Sequence, residues 1–302
     1  MRDRFSNAIY KNIKKNKNIY VVAADISPSG KMAQFQNSNK NFINVGVSEQ
    51  IMISACAGLA LSGCRAFAYT IATFALFRPF EMVRDDICYQ NLPVTIVGMG
   101  AGTIYASLGG THTATEDISI ARSLPNMQVL SPCDPEELEE CVNFCCNESK
   151  SPTYLRIGKS GEKNFSLKSK EKWKFGKIRK IKEGRDICIL THGPIINIAF
   201  EIDEELKNSS SIYSCHTLKP FDEYGLKNIF RKYKKIITLE DHSIIGGLSD
   251  IVQINAYKNK YKGKIYLNSL KDKFIHVYSS QKDLLDKHGI SVKKIIKKIN
   301  SF

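Results

Sequence analysis

The sequence predicts an α/β fold of two doubly wound domains, each with a mostly parallel sheet. Three observations predict it. Short apolar β-runs alternate with helical patterns over the first half of the chain. The alternation breaks between 157 and 185, and it then resumes to the end. At 302 residues the chain is long enough for two cores of ordinary size.

The elements follow in order. An amphipathic helix over 4–14 leads into an apolar strand at 19–24, and a short strand at 42–45 runs into a helix starting near Ser48. A strand at 65–69, a helix over 79–90 and a strand at 94–97 come next. A helix from Glu116, a strand at 128–131, a helix after Asp134-Pro135 and a strand at 153–156 complete the first half. The segment 157–185 is rich in Gly, Ser and Lys, with Trp173 and Phe175 as apolar anchors, and reads as a linker. The second half has strands at 187–191, 212–215, 236–240 and 265–267, with helices from Pro194, from Asp222 and after Gly246-Gly247. Two helices close it. The expected division is 1–160, a linker over 161–184, and 185–302.

Composition excludes several classes. Hydrophobic content of 43% and charged content of 25% are those of a globular, water-soluble chain, and no apolar run approaches the roughly 20 residues that span a bilayer. The first residues lack a signal-peptide core, so a cytoplasmic location without membrane attachment is expected. The nine cysteines sit mostly in apolar segments and form no CxxC pair, which points to reduced thiols used as small core residues. The net charge of +14 comes from lysines spread along the chain, richest at 11–17, 168–182 and 293–298. No basic stripe with interleaved aromatics accompanies them, so nucleic acid is not an expected partner.

The chemically informative stretch is 44–63, NVGVSEQIMISACAGLALSG. It reads as a strand end, a turn through Gly46, and a helix crowded with small residues that admits close packing of another element. Ser48 stands at the cap position, and Glu49 falls in the first turn, where the helix dipole favours a carboxylate. Taken alone, that is a surface charge. Further on, Phe74, Phe77 and Phe80 recur at intervals of three, ordinarily a stripe of helix core. His112 lies in a GGTH loop, a place where function concentrates.

These segments together resemble the carboxyl-terminal half of transketolase and of its relative deoxyxylulose-phosphate synthase, over nearly the whole chain. VGVSEQ resembles the family's V-G-I-x-E-Q run, whose glutamate activates thiamin diphosphate by hydrogen-bonding its aminopyrimidine ring. The resemblance gives Glu49 that role, and makes Phe74, Phe77 and Phe80 the aromatic cradle of that ring, with Phe in place of the family's Tyr at 80. It makes His112 a contact to substrate oxygens, and it places Ser29 (in ADISPSG), Arg78, Arg156 and Lys159 (in YLRIGKSG) near substrate phosphate. Arg78 has a second reading as a partner of Glu81, Asp85 or Asp86 on its own helix. Lys159 stands where the relatives have Arg, keeping charge but losing a bidentate grip. Helix capping accounts for Glu116 and Asp117. The two domains are then a pyrimidine-binding domain and a transketolase carboxyl-terminal domain, the latter with His242 and the Gly246-Gly247 turn near a dimer interface.

Departures from the pattern bear on substrate. An acidic residue that reads sugar hydroxyls is replaced by Leu108, and a histidine by Gly100. The family's G-D-G segment, which holds the diphosphate and its Mg²⁺, does not occur in these residues. The resemblance therefore implies an amino-terminal partner subunit carrying the diphosphate and Mg²⁺ site, in an α₂β₂ assembly with this chain at its centre. Three functions remain open. One is a split transketolase-like transferase moving a two-carbon ketol unit between sugar-type substrates. The second is a subunit of a synthase-like or 2-oxo-acid-decarboxylating enzyme. The third is a non-catalytic scaffold of such a complex.

Overall fold

The computed structural model describes residues 1–26, 30, 33 and 40–301. Helix α1 (Arg2–Lys15) turns Phe5, Ala8, Ile9 and Ile13 inward, one face of a 3.6-residue repeat, and Arg4 pairs with Glu136 and Glu139 across the adjoining helix. Then come β1 (Ile19–Ala23), β2 (Phe42–Asn44), α2 (Glu49–Leu61), β3 (Arg65–Ile71) and a short α3 (Ala72–Leu76). The helix expected over 79–90 is a turn at Phe80–Met82 that continues with π geometry through Val83–Tyr89. β4 (Val94–Met99), α4 (Asp117–Ser123), β5 (Gln128–Leu130), α5 (Pro135–Asn147) and β6 (Thr153–Ile157) follow.

The second half contains β7 (Arg179–Lys182), β8 (Ile187–Thr191), α6 (Ile196–Glu205), β9 (Ser210–Ser214), β10 (Thr217–Lys219) and α7 (Glu223–Lys232). It ends with β11 (Lys235–Ser243), α8 (Leu248–Lys258), β12 (Lys264–Leu270), α9 (Gln281–His288) and α10 (Val292–Asn300). Among the described residues no helix is long and apolar enough to cross a membrane.

The first sheet has the order β10-β5-β6-β4-β3-β1-β2, parallel except for β10. Its central strand β4 is buried along its whole length, which explains its unbroken apolar run. The second sheet has the order β12-β11-β8-β9-β7, parallel except for β7 at its edge. Two strands escaped the sequence reading. β7 lies inside the segment read as linker, and β10 crosses from the second half to close the first sheet, so the two halves share a sheet edge. The cysteines behave as expected: all nine are free, and eight are buried.

Asp134 ties the linker down. Its carboxylate caps α5 through the Glu137 N–H at 2.9 Å and accepts from the Phe165 and Ser166 N–H groups at 2.8 and 2.6 Å. A buried polar chain joins the two sheets. Arg156 donates from Nε to Asp117 at 2.9 Å and from Nη2 to the Asp241 carbonyl at 2.7 Å. The Asp241 carboxylate accepts from the N–H and hydroxyl of Thr103, and from Gln281. The Arg156–Asp117 pair is 3% and 0% exposed, so removing one partner strands a buried charge at a cost of about 3–5 kcal/mol. Burial alone would lower the Arg156 guanidinium, but Asp117 and Asp241 outweigh it and hold its pKa above the usual value. His242 donates from Nδ1 to the Ser243 carbonyl and accepts at Nε2 from the Ser119 N–H. Burial keeps this imidazole below its ordinary pKa despite the neighbouring Asp117 and Glu240. His242 lies where the two halves of the chain meet.

Glu240 caps α8 through the Leu248 and Ser249 N–H groups and lies 3.5 Å from His192. Burial would raise its carboxyl, but the two imidazoles and the Ser249 N–H outweigh it and bring it from 4.5 to about 2. A carboxyl depressed in the folded state adds stability that is present above its unfolded value and lost as pH falls towards its folded one. Glu240→Gln is therefore expected to lower stability at neutral pH and to flatten the acid loss between pH 4.5 and about 2. Urea unfolding at stepped pH checks both effects.

Candidate active site

The candidate site lies beyond the carboxyl ends of β2, β3, β4 and β6, where parallel sheets present their loops. After β2 the chain turns at Gly46, which has φ +69°, while the Asn44 side chain accepts from the Gly46 N–H at 3.0 Å. That turn starts α2 with Glu49 facing inward. Ser48 holds the cap position, but its side chain makes no capping bond. The Glu49 side chain is 4% exposed, so it is not the surface charge that its first-turn position alone implies.

Both Glu49 carboxylate oxygens accept from Arg78 Nη1, at 2.9 and 3.0 Å. Arg78 thus pairs across elements and not with Glu81, Asp85 or Asp86 of its own run. Its guanidinium carbon also stands 4.5 Å from the Phe74 ring centroid, a cation–π contact. The other side of this aromatic group is His112, whose ring meets Phe74 edge-on at 5.2 Å. Thr111 Oγ1 holds His112 Nδ1 at 2.9 Å. Glu49, Arg78, Phe74 and His112 form one contiguous set. Phe77 is half-buried beside Ala72, Ala101 and Ala114, next to this set. Phe80, like Phe77, packs on the main core, which runs across both halves of the chain.

The loop after β4 explains one departure from the family pattern. Gly100 has φ +65°, and a Cβ there would lie 2.0 Å from Tyr105 Cε2. The Tyr105 ring fills the space that a side chain at 100 would need, and it lies 6.3 Å from His112. Leu108, on the same loop, is 49% exposed. Gly102 is equally constrained, since a Cβ there would lie 2.4 Å from the Asp241 carboxylate. The clamp on Asp241 therefore fixes the loop that carries His112.

The phosphate candidates separate. Lys159 is exposed, with Nζ 5.0 Å from the Tyr105 centroid, at the edge of the set. Arg156 is 3% exposed and committed to Asp117 and Asp241. Its place is the core between the domains and not an open anion site. Ser29 lies outside the described residues. Sequence reasoning missed Asp117, which it read as a cap but which is the buried partner of Arg156 and Tyr154. It also missed Tyr105, which packs on its own loop beside Gly100 and His112, and Asp241. No local signal marks the two aspartates, because their partners lie far along the chain.

The set fits an aminopyrimidine. A carboxylate with little water around it is a strong acceptor for a ring N–H, and a half-buried phenyl face suits a flat heteroaromatic ring. Among the described residues no group of three or more His, Cys, Asp or Glu is arranged to hold a metal ion.

Comparisons with known proteins identify the family and the fold. The family model of the transketolase pyrimidine-binding domain matches residues 1–161, and that of the transketolase carboxyl-terminal domain matches residues 176–295. A putative transketolase C-terminal section of Methanocaldococcus jannaschii is 32% identical, covering 99% of this chain and 95% of that one. The 1-deoxy-D-xylulose-5-phosphate synthase of Clostridium tetani is 30% identical over 98% of this chain, which spans 48% of the synthase. A split-gene transketolase, solved as an inactive β₄ tetramer, superposes with a TM-score of 0.87 at 30% identity, covering 99% of this chain and 97% of that one. The chain belongs to the transketolase family and comprises its pyrimidine-binding and carboxyl-terminal domains.

Proposed function

We propose that the chain is the pyrimidine-binding subunit of a split, thiamin-diphosphate-dependent transketolase-like transferase. It would move a two-carbon ketol unit between sugar-type substrates. The observation that carries this reading is the buried Glu49 carboxylate beside the half-open face of Phe74 and the His112 loop. Thiamin diphosphate, when bound, supplies the carbon nucleophile and electron sink for transfer of the two-carbon unit. Glu49 accepts the ring N–H and holds the proton at its carboxylate. Phe74 and Phe77 orient the ring and keep water from Glu49. His112, held at Nδ1 by Thr111, presents Nε2 to a substrate oxygen. Lys159 and Arg78 offer cations to a substrate phosphate. Phe80 and Arg156 serve the fold in this reading, and Ser29 keeps its proposed phosphate contact on sequence alone.

The diphosphate and its Mg²⁺ would be held by an amino-terminal partner subunit, in an α₂β₂ complex of the cytoplasm. Relatives of nearly the same span that are described as a C-terminal section and as a split-gene product support a separate partner. So does an exposed stripe on α2, Ile51, Ser54, Gly58 and Leu61 at helical spacing, next to exposed Val47. Self-association through both domains is part of the same proposal, with boundaries at 1–160, 161–184 and 185–302.

A second reading is a synthase-like or 2-oxo-acid-decarboxylating subunit. The exposed apolar Leu108 and the side-chain-free Gly100 favour it, because both remove polar contacts to a sugar chain. Product analysis with ketose and 2-oxo-acid donors separates the two.

Two predictions follow from the site. In the assembled enzyme Glu49→Gln is expected to reduce turnover by a factor of about 10²–10⁴, measured by steady-state kinetics. An unchanged rate would favour the scaffold reading. Gly100→His, which restores the family's residue, is expected to lose about 2 kcal/mol or more of stability from positive φ and the clash with Tyr105. Adding Tyr105→Ala should relieve the clash only. Chemical denaturation of the single and double variants reads the difference.

A further inference from the structure

The ion pair at the heart of the site points to a resting state that must be undone. Glu49 is almost out of water, and both of its oxygens are taken by Arg78 Nη1 at 2.9 and 3.0 Å. The same guanidinium covers the Phe74 ring at 4.5 Å. The Arg78 side chain is 43% exposed, so a path outward is open to it. The carboxylate and the phenyl face that Arg78 covers are the two surfaces that an aminopyrimidine ring needs.

We propose that Arg78 is a latch that occupies the pyrimidine subsite of the free chain and swings out when the cofactor enters; this rests on the cofactor reading above. The physical cause is the cost of an uncompensated buried carboxylate. Without the ring, Glu49 needs a cation, and Arg78 supplies one. With the ring in place, a donated N–H would take over, and the guanidinium would be released to the mouth of the site. Every binding event therefore breaks the ion pair and the cation–π contact.

The latch has two effects of opposite sign. It stabilises the free chain and weakens cofactor binding. A plain anchor for substrate phosphate would change neither in the absence of substrate. A purely structural arginine would, on removal, destabilise the chain without tightening the cofactor.

The test uses Arg78→Ala and Arg78→Gln, the second keeping most of the stem's packing, in the chain assembled with its diphosphate-binding subunit. Thiamin diphosphate and Mg²⁺ are titrated calorimetrically without substrate, and thermal unfolding is followed on the chain alone. Both variants are expected to lower the cofactor Kd by about fivefold to tenfold. They are also expected to lower the melting midpoint of the chain by about 2–4 °C. In a Glu49→Gln background the tightening should vanish, since the latch then has nothing to hold. A Kd unchanged or raised in both variants overturns the latch. Absence of cofactor binding by the unmodified assembly overturns the cofactor reading, and the latch with it.

Discussion

The Arg156 guanidinium, buried between Asp117 and the Asp241 carbonyl, is the contact on which the rest of the arrangement hangs. It joins the end of β6 to the start of α4 and to β11 of the other sheet, and both charged partners are buried. Asp241 in turn grips Thr103, so the loop after β4 is fixed from the second half of the chain. That loop carries Tyr105 and His112. The second half needs no catalytic residue to matter for the site, because it sets where the His112 loop stands.

The site itself is organised by the opposite problem. Glu49 is buried without a partner from its own helix, and Arg78 reaches it from the turn that follows α3. A carboxylate held in this way is poorly solvated and ready to accept a proton donor of the right shape. The aromatic side of the site supplies shape and not charge. The Tyr105 ring stands 6.3 Å from His112, and Leu108 is an exposed apolar residue on the same loop.

Much of this was legible in the sequence. The alternation of β-runs and helices gave two α/β domains, because buried parallel strands show as unbroken apolar runs. The VGVSEQ run, the phenylalanine spacing and GGTH led to Glu49, Phe74 and His112, which the structure brings together. The rest was not legible for a physical reason. Arg156 was expected at a phosphate because its strand exit resembles one, but its partners Asp117 and Asp241 are fixed only by tertiary packing. Arg78 had acidic neighbours on its own helix, and nothing local marked Glu49 as the better partner. Thr217–Lys219 is too short for any periodicity, so its place on the first sheet was invisible. Gly100 looked like a lost histidine, whereas the fold needs a glycine there beside Tyr105.

The central claim is that this chain provides the pyrimidine half of a thiamin diphosphate site and that another chain provides the diphosphate half. Calorimetric titration of thiamin diphosphate with Mg²⁺, on this chain alone and then on its mixture with the amino-terminal subunit, tests it most directly. The account predicts binding only in the mixture. Tight binding by the chain alone would contradict it.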